Sequence, residues 1–270
     1  MPAAVKVMGI VNVTPDSFSD GGRYLDPGEA LAHARRLIAA GADILDIGAE
    51  STRPGAEPVG EDEEIARAVP LIAAIRAESD VAISIDTMKP RVARAAAAAG
   101  ASIWNDVAAL RFSPDAPQVA AELGCEVVLM HMQGEPRTMQ ADPQYGDVVA
   151  EVRAFLAERA QAAMAAGVAR EKIWLDPGIG FGKRLEHNLA LLAHLEEIAG
   201  LGFPVLLGVS RKRFVAALDP AAGQAPDARL AGSLAAALAG VQAGAGALRV
   251  HDVAETVQAL KVWDAIAAAR

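Results

Sequence analysis

Residues 5–13 read VKVMGIVNV, an apolar run that ends near an asparagine, and seven later runs repeat this arrangement. They are ADILDIG (42–48), AISIDT (82–87), SIWNDV (102–107), EVVLMHM (126–132), KIWLDPG (172–178), PVLLGVS (204–210) and ALRVHDV (247–253). Runs this short and apolar predict strands that are buried on both faces. The Ala-rich amphipathic stretches between them, such as 27–41, 61–79, 89–100 and 147–167, predict helices. Glycines would end several of these helices: Gly41, Gly100, Gly167 and Gly246.

Polar residues lie at or near the carboxyl end of every run. They are Asn12, Asp46, Asp86, Asn105 with Asp106, His131, Asp176, Ser210, and the pair Arg249 and His251. Catalytic groups of a closed parallel barrel converge at that face from several strands. The pattern therefore favours an α/β fold, a (β/α)8 TIM barrel of eight parallel strands with surrounding helices, over an open doubly wound sheet. We expect residues 1–270 to form one domain, with a surface loop at 219–228.

The bulk composition narrows the functional classes. A formal net charge of -9 without a basic stripe argues against general nucleic-acid binding. The single cysteine, Cys125, fits a reducing compartment, and no signal peptide or membrane span is recognisable. These features predict a soluble cytoplasmic protein.

Cationic residues follow the last two predicted strands. Arg249 and His251 are two positions apart, so they would project from the same side of a strand and could form an anion pocket. The alternative for Arg249 is a simple pair with Asp252. The segment SRKRF (210–214) adds three cations where this fold often holds phosphate, although a solvated helix start is also possible.

Carboxylate and amide groups at other strand ends suit a flat, nitrogen-rich ring. Asp176 has Pro177 behind it, and a carboxylate in an enclosed pocket favours a fork of N–H donors. Asp86 and Asn105 offer further acceptors, although any one of these groups alone could be a structural cap. His131 is not accompanied by ligands at zinc spacing, which argues against a transition-metal site.

Two polar loops are longer than a strand-to-helix turn requires. NVTPDSFSDGG (12–22) follows the first run, and GAESTRPGAEPVG (48–60) follows the second. Each could be a solvated connector. The position of the first loop at the polar rim instead favours a mobile catalytic role, with residues 15–22 covering the site and Asn12 acting as a fixed anchor.

The motifs MGIVNVTPDSFSDGG, GAESTRPGA, ISIDT, NDV, LMHMQGEPRTMQ, LDPGIGFGK, GVSRKRF and RVHDV resemble those of the dihydropteroate synthase family, from about Lys6 to about Ala265. The resemblance implies a (β/α)8 barrel that joins 4-aminobenzoate to 7,8-dihydropterin-6-ylmethyl diphosphate in folate biosynthesis, with release of diphosphate. It also implies a requirement for Mg²⁺, sensitivity to sulfonamides that imitate 4-aminobenzoate, and a homodimer formed through late helices, for which residues 230–247 are a candidate face.

The same resemblance implies roles for individual residues. The pterin contacts would be Asp86, Asn105, Met130, Asp176, Phe181, Lys212 and Arg249. The diphosphate contacts would be Asn12, Arg53, Arg249 and His251, with Asn12 also the protein ligand of Mg²⁺. Thr52, Pro54, Phe181, Lys212 and Arg213 would border 4-aminobenzoate. Catalytic roles would fall to Asp16, Phe18, Asp20, Arg53 and Lys212, with Ser19 in the same covering loop.

Two other functions fit parts of this pattern. A pterin-binding methyltransferase domain shares the barrel and the Asp/Asn/Asp contacts, but it needs neither the DSFSDGG loop nor the SRK and RVHD segments. A catalytically silent pterin-binding paralogue would be expected to lose the loop or the anion-binding residues, and this sequence retains both.

Overall fold

The computed structural model describes residues 4–13, 27–51, 57–222 and 225–269. Within these ranges, eight short strands alternate with helices along the chain. The strands are β1 (Lys6–Asn12), β2 (Ile44–Gly48), β3 (Ala82–Asp86), β4 (Ile103–Asp106), β5 (Glu126–Met130), β6 (Ile173–Asp176), β7 (Leu206–Gly208) and β8 (Ala247–Val250).

All eight strands belong to one parallel sheet. Their spatial order is β6-β5-β4-β3-β2-β1-β8-β7. A parallel bridge between Leu175 and Val205, with a 2.9 Å bond from Leu175 N to Pro204 O, joins the two ends of this order. The predicted (β/α)8 barrel is confirmed, and the open doubly wound alternative is wrong.

Helices surround the barrel. They are α1 (Pro27–Ala39), α2 (Glu61–Arg76), α3 (Pro90–Ala98), α4 (Ala116–Leu123), α5 (Val148–Ala165), α6 (Leu185–Ala193), α7 (Leu195–Ala199), α8 (Arg213–Leu218), α9 (Leu230–Gln242) and α10 (Val253–Ala268). The surface loop predicted at 219–228 contains the 3₁₀ turn Pro220–Ala222, and a second 3₁₀ turn, Pro226–Arg229, extends one residue beyond its predicted end. None of the helices that the structure describes is long and apolar enough to cross a membrane.

Three of the four predicted helix-ending glycines take the left-handed conformation that favours glycine. These are Gly41, Gly100 and Gly167, with φ values of 98°, 115° and 106°. The prediction for Gly246 is wrong, because α9 has already ended and Gly244, at φ 101°, takes the left-handed position. Gly246 instead links strands, since its N–H donates to Val205 O and its carbonyl accepts from Lys6 N.

The barrel interior has an apolar floor to which every strand contributes one residue: Met8, Ile44, Ala82, Ile103, Val128, Trp174, Leu206 and Ala247. Side chains alternate between the two faces of a strand, so the residue two positions later also faces the interior. For β2 to β8 these residues are Asp46, Ser84, Asn105, Met130, Asp176, Gly208 and Arg249. The alternation therefore places a largely polar layer directly above the floor, while the opposite faces of the strands pack against the helices.

Candidate active site at the mouth of the barrel

Arg249 connects carboxylates from two other strands. Its Nε donates to Asp46 Oδ2 at 2.6 Å, and its Nη2 donates to Asp86 Oδ2 at 2.7 Å. Asp46 is fully buried and also accepts from Asn105 Nδ2, at 3.2 Å to Oδ2. The sequence pattern assigned no specific role to Asp46. Its position inside the barrel was nevertheless predictable, because side chains alternate between the two faces of a strand. The structure therefore adds Asp46 as the residue that holds Arg249 and Asn105 together.

Asp86 retains an unused acceptor. Its Oδ2 is bound by Arg249, whereas Oδ1 is buried and has no hydrogen-bond partner among the residues that the structure describes. Burial raises the pKa of Asp86 to about 7, against the opposing effect of the Arg249 guanidinium. A buried acceptor without a donor is unfavourable, so a ligand that donates a hydrogen bond here would satisfy it.

Asp176 is held in place by the turn that follows β6. Its Oδ1 accepts from Gly178 N at 2.7 Å, and the carboxyl group is buried. Gly178 has φ 66°, and a Cβ atom there would lie 1.9 Å from His131 O, so only glycine fits. Burial raises the pKa of Asp176, and the nearby Lys212 ammonium opposes this rise.

Lys212 and Phe181 meet at the rim. Lys212 Nζ lies 4.8 Å from the centroid of the Phe181 ring and donates to Ile179 O. Burial lowers the pKa of Lys212 to about 8, although Asp176 favours the charged form. Phe181 also packs against the small apolar cluster that contains Met130. The Lys212 cation, the Asp176 carboxyl group and the Met130 and Phe181 side chains therefore lie in one region.

The glycine-rich turn that carries Phe181 is fixed by buried polar contacts. Lys183 Nζ lies 2.9 Å from His131 Nδ1 and donates to Phe181 O at 3.0 Å. Tyr145 Oη donates to Gly182 O at 2.8 Å. Burial and neighbouring cations lower the pKa of His131 to about 3, so the neutral ring can accept a hydrogen bond from Lys183 Nζ, and burial also lowers the pKa of Lys183. His131 and Lys183 therefore have a structural role that the sequence pattern did not predict.

The cations of the SRKRF segment separate in the structure. Arg211, at φ 57°, donates from Nε to Asp252 Oδ2 at 3.0 Å and also pairs with Asp227. Lys212 enters the site, and Arg213 is exposed at the start of α8. The alternative pair of Arg249 with Asp252 is wrong, because Asp252 binds Arg211 while Arg249 binds the interior carboxylates.

His251 lies just beyond the end of β8 at Val250, so strand alternation does not fix its direction. Its Nδ1 is 3.0 Å from Ser210 Oγ, and its backbone N–H donates to the same oxygen at 3.2 Å. These contacts join the ends of β7 and β8. Asp106 also departs from the predicted convergence, because its carboxylate accepts from Ala108 N and Leu110 N in the turn after β4.

Asn12 is the last residue of β1 and pairs with Gly48 of β2. A Cβ atom at Gly48 would lie 3.5 Å from Asn12 Oδ1 and 3.7 Å from Asp86 Oδ2. The glycine therefore leaves a small gap between two side-chain oxygens at the mouth of the barrel.

Several predicted site residues lie outside the described ranges. They belong to the segments 14–26 and 52–56: Asp16, Phe18, Ser19, Asp20, Thr52, Arg53 and Pro54. Their roles stay predictions. Among the described candidates, the structure brings together Asp86, Asn105, Asp176, Lys212 and Arg249 through shared contacts or neighbouring charges.

Comparison with known proteins assigns the family. Residues 8–251 match the family model described as pterin binding enzyme. The dihydropteroate synthase of Escherichia coli strain K12 is 49% identical over 264 residues, which cover 98% of this chain and 92% of the relative.

Solved structures agree with this assignment. Dihydropteroate synthase from Xanthomonas albilineans with 4-aminobenzoic acid has a TM-score of 0.92 and 52% identity, covering 98% of this chain and 94% of the other. The same enzyme in complex with 7,8-dihydropteroate has a TM-score of 0.88 and 49% identity, covering 98% and 95%. The Yersinia pestis enzyme in a sulfonamide drug complex has a TM-score of 0.93 and 46% identity, with the same two coverages. The chain therefore belongs to the pterin binding enzyme family and, within it, to the dihydropteroate synthases.

Proposed function

We propose that this chain condenses 4-aminobenzoate with 7,8-dihydropterin-6-ylmethyl diphosphate, which gives 7,8-dihydropteroate and diphosphate and serves folate biosynthesis. The observation that carries the proposal is the polar layer at the barrel mouth, where Asp86 keeps a buried acceptor that has no donor within the described part of the chain. The family membership established above gives this layer its substrates.

The pterin ring would bind inside the barrel mouth. Its guanidine-like edge can donate two hydrogen bonds to Asp176, and further ring N–H groups can reach Asp86 Oδ1 and Asn105. Met130 and Phe181, which pack in one cluster, would border the ring, and Arg249 would lie close to it. Lys212 would contact the pterin from the Phe181 side.

The diphosphate would bind at the neighbouring cations, and 4-aminobenzoate at the rim. Arg249 and His251 come from the end of β8, and Arg53 is the further expected cation. For 4-aminobenzoate we assign Thr52, Pro54, Phe181, Lys212 and Arg213. Because the interior carboxylates hold the Arg249 guanidinium, it is oriented before the substrate arrives.

Mg²⁺ fits the mouth of the barrel. Asn12 would supply an oxygen ligand beside the gap at Gly48, and Mg²⁺ usually takes one or two protein oxygens together with water and substrate phosphates. The described residues contain no group of three or more His, Cys, Asp or Glu arranged to hold a metal, so substrate oxygens and water would complete the coordination. When bound, the cation would stabilise the negative charge of departing diphosphate.

The residues at the site support a mechanism that is driven by charge. The bond between the pterin methylene and the diphosphate oxygen breaks, its electron pair leaves with diphosphate, and positive charge spreads over the methylene and the ring. The amine of 4-aminobenzoate then forms the carbon–nitrogen bond and releases one proton. Asp176 and the expected Asp16 would face the developing cation, whereas Arg249 and His251 would stabilise the leaving group. A neutral aromatic amine needs no strong base.

The test is product formation by the purified chain with both substrates and Mg²⁺. We expect diphosphate and 7,8-dihydropteroate to appear in equal amounts when both substrates are present, and no dihydropteroate to form when 4-aminobenzoate is omitted. A folded sample that binds pterin but releases no diphosphate would instead indicate a silent paralogue.

Lys212 should impose an alkaline limit on activity. Because its pKa is lowered to about 8, the ammonium of the free enzyme loses its proton as the pH rises through that value. We therefore expect kcat/KM to fall above about pH 8, since kcat/KM reports groups of the free enzyme. The Lys212→Arg variant keeps its charge over this range and should lose this limb of the profile. An identical limb in both proteins would exclude Lys212 as its source.

Asn12 should control the Mg²⁺ requirement. The Asn12→Leu variant keeps a similar volume but removes the oxygen, and we expect the Mg²⁺ concentration for half-maximal activity to rise about tenfold, equivalent to about 1.4 kcal/mol. Binding of a pterin without diphosphate, measured by calorimetry, should stay unchanged. An unchanged Mg²⁺ titration would contradict the role of Asn12 as a ligand.

We further propose that the protein is a cytoplasmic homodimer. We also propose that sulfonamides inhibit it in competition with 4-aminobenzoate. The sulfonamide complex of the Yersinia pestis relative supports the last point. The small, partly exposed side chains of α9 support a packing face between protomers. Light scattering of the purified chain tests the dimer directly.

A further inference from the structure

A buried ion cluster joins the described residues on either side of the segment 52–56. Lys89, directly before α3, is 6% exposed, and its Nζ has three acceptors. These are Glu50 Oε2 at 2.5 Å, Glu64 Oε2 at 2.7 Å and the Val59 carbonyl at 2.7 Å. The three N–H donors of the ammonium are thus fully used within the protein. We call Glu50, Val59, Glu64 and Lys89 the loop clasp.

The clasp joins the two sides of the loop. Glu50 lies two residues after the end of β2, and its second oxygen, Oε1, accepts from Val59 N at 3.2 Å. Val59 is therefore fixed twice, once through its N–H to Glu50 and once through its carbonyl to Lys89. Glu64 anchors the cluster to the first turn of α2. The ends of the segment 51–58 are held at one buried point that belongs to the barrel and two helices.

Stability alone is a weak explanation for this cluster. Taking an ammonium and two carboxylates out of water is costly, and the net contribution of buried ion pairs to stability is often small. The neighbouring carboxylates nevertheless raise the pKa of Lys89 despite its burial, so the ammonium stays charged. Charged hydrogen bonds restrict position more narrowly than apolar contacts do. The cluster is therefore suited to setting the geometry of the loop.

We propose that Glu50 and Lys89 are positioning residues for 4-aminobenzoate, because they fix the two ends of the segment that contains its expected contacts Thr52 and Pro54. This inference rests on the proposed function. Among the described residues, no hydrogen bond joins Glu50 or Lys89 to Asp86, Asn105 or Asp176, and the charge of the clasp that acts on Asp86 is that of Glu64. Loss of the clasp should consequently affect one substrate more than the other.

The Glu50→Ala variant tests the proposal. It removes both contacts of Glu50 but leaves Lys89 paired with Glu64 and bonded to Val59 O, so the link between α2 and α3 is kept. We expect the KM for 4-aminobenzoate to rise roughly tenfold or more, because small misplacements of positioning groups have large effects. The KM for the pterin diphosphate should stay within about twofold, since its contacts are elsewhere. Hydrogen exchange at the Val59 amide should become faster.

Two further variants make the test selective. Glu50→Gln keeps an oxygen that can accept from Val59 N or Lys89 Nζ, so its KM for 4-aminobenzoate should rise less than that of Glu50→Ala. It also provides the measurement if Glu50→Ala does not fold. Glu78→Ala removes an exposed carboxylate that pairs with Arg35 at the surface and should leave both KM values unchanged.

The outcomes separate the two proposals. Equal KM changes for both substrates, or an unchanged 4-aminobenzoate KM in a folded Glu50 variant, would overturn the positioning role while the wild-type chain remains active. If the wild-type chain itself forms no dihydropteroate under the same conditions, the proposed function fails instead.

Discussion

Replacing Asp176 with asparagine should weaken pterin binding by at least about 100-fold, because a hydrogen bond to a charged group contributes about 1.5–3 kcal/mol and two such bonds are affected. The substitution removes the negative charge and puts an NH₂ donor where the guanidine-like edge also donates. The turn after β6 should keep its conformation in this variant, because the asparagine oxygen can still accept from Gly178 N. Isothermal titration calorimetry with a pterin gives the affinity directly.

Asp106→Asn is a matched control for this prediction. Asp106 is also a fully buried carboxylate at a strand end, and burial raises its pKa to about 7, but its oxygens bind Ala108 N and Leu110 N outside the site. We expect this control to lower the free energy of unfolding while pterin affinity stays within about threefold. Unchanged affinity in Asp176→Asn would remove Asp176 from the pterin site.

Replacing Arg249 with methionine should abolish product formation and destabilise the barrel. The variant leaves Asp46 and Asp86 buried without their shared cation, and removing one partner of a buried ion pair typically costs about 3–5 kcal/mol. Urea unfolding measures the loss. Adding Asp46→Asn to the variant should recover much of the stability, but not the activity, because the anion contact is still missing.

The loss of stability in the Arg249→Met variant should depend on pH in a defined direction. The pKa of Asp86 in the folded protein is raised to about 7, so between its ordinary value and pH 7 the folded state binds more protons than the unfolded state. The contribution of this group to the free energy of unfolding therefore falls as the pH rises through that window. Without Arg249 the folded pKa rises further, so the deficit of Arg249→Met should be larger at pH 8 than at pH 5. An equal deficit at both pH values would show that the two carboxylates are not its cause.

The positions of most described site residues were predictable from the sequence, whereas their partners were not. Strand alternation and the polar ends of the apolar runs place Asn105 and Asp176 inside the barrel mouth without knowledge of any contact. The bond between Arg249 and Asp46 joins residues 203 positions apart, and no local pattern indicates which carboxylate Arg249 selects. The Arg249–Asp252 alternative failed for this reason.

Backbone geometry accounts for further differences. The run of cations at 211–213 looks like one charged patch in the sequence, but the positive φ of Arg211 turns its side chain to Asp252 and Asp227. Lys89 follows the ISIDT motif without any sequence signal for the two acids that it joins. Composition identifies charged residues, whereas their pairing depends on tertiary packing between distant elements.

A crystal structure of this chain with bound 7,8-dihydropteroate tests the central claim most directly. We predict that the guanidine-like edge of the pterin donates two hydrogen bonds to Asp176 and that a ring N–H donates to Asp86 Oδ1. The benzoate end should lie at the rim beside Phe181 and Lys212. A product bound away from the carboxyl ends of the strands, or a pterin edge without contact to Asp176, would contradict the account.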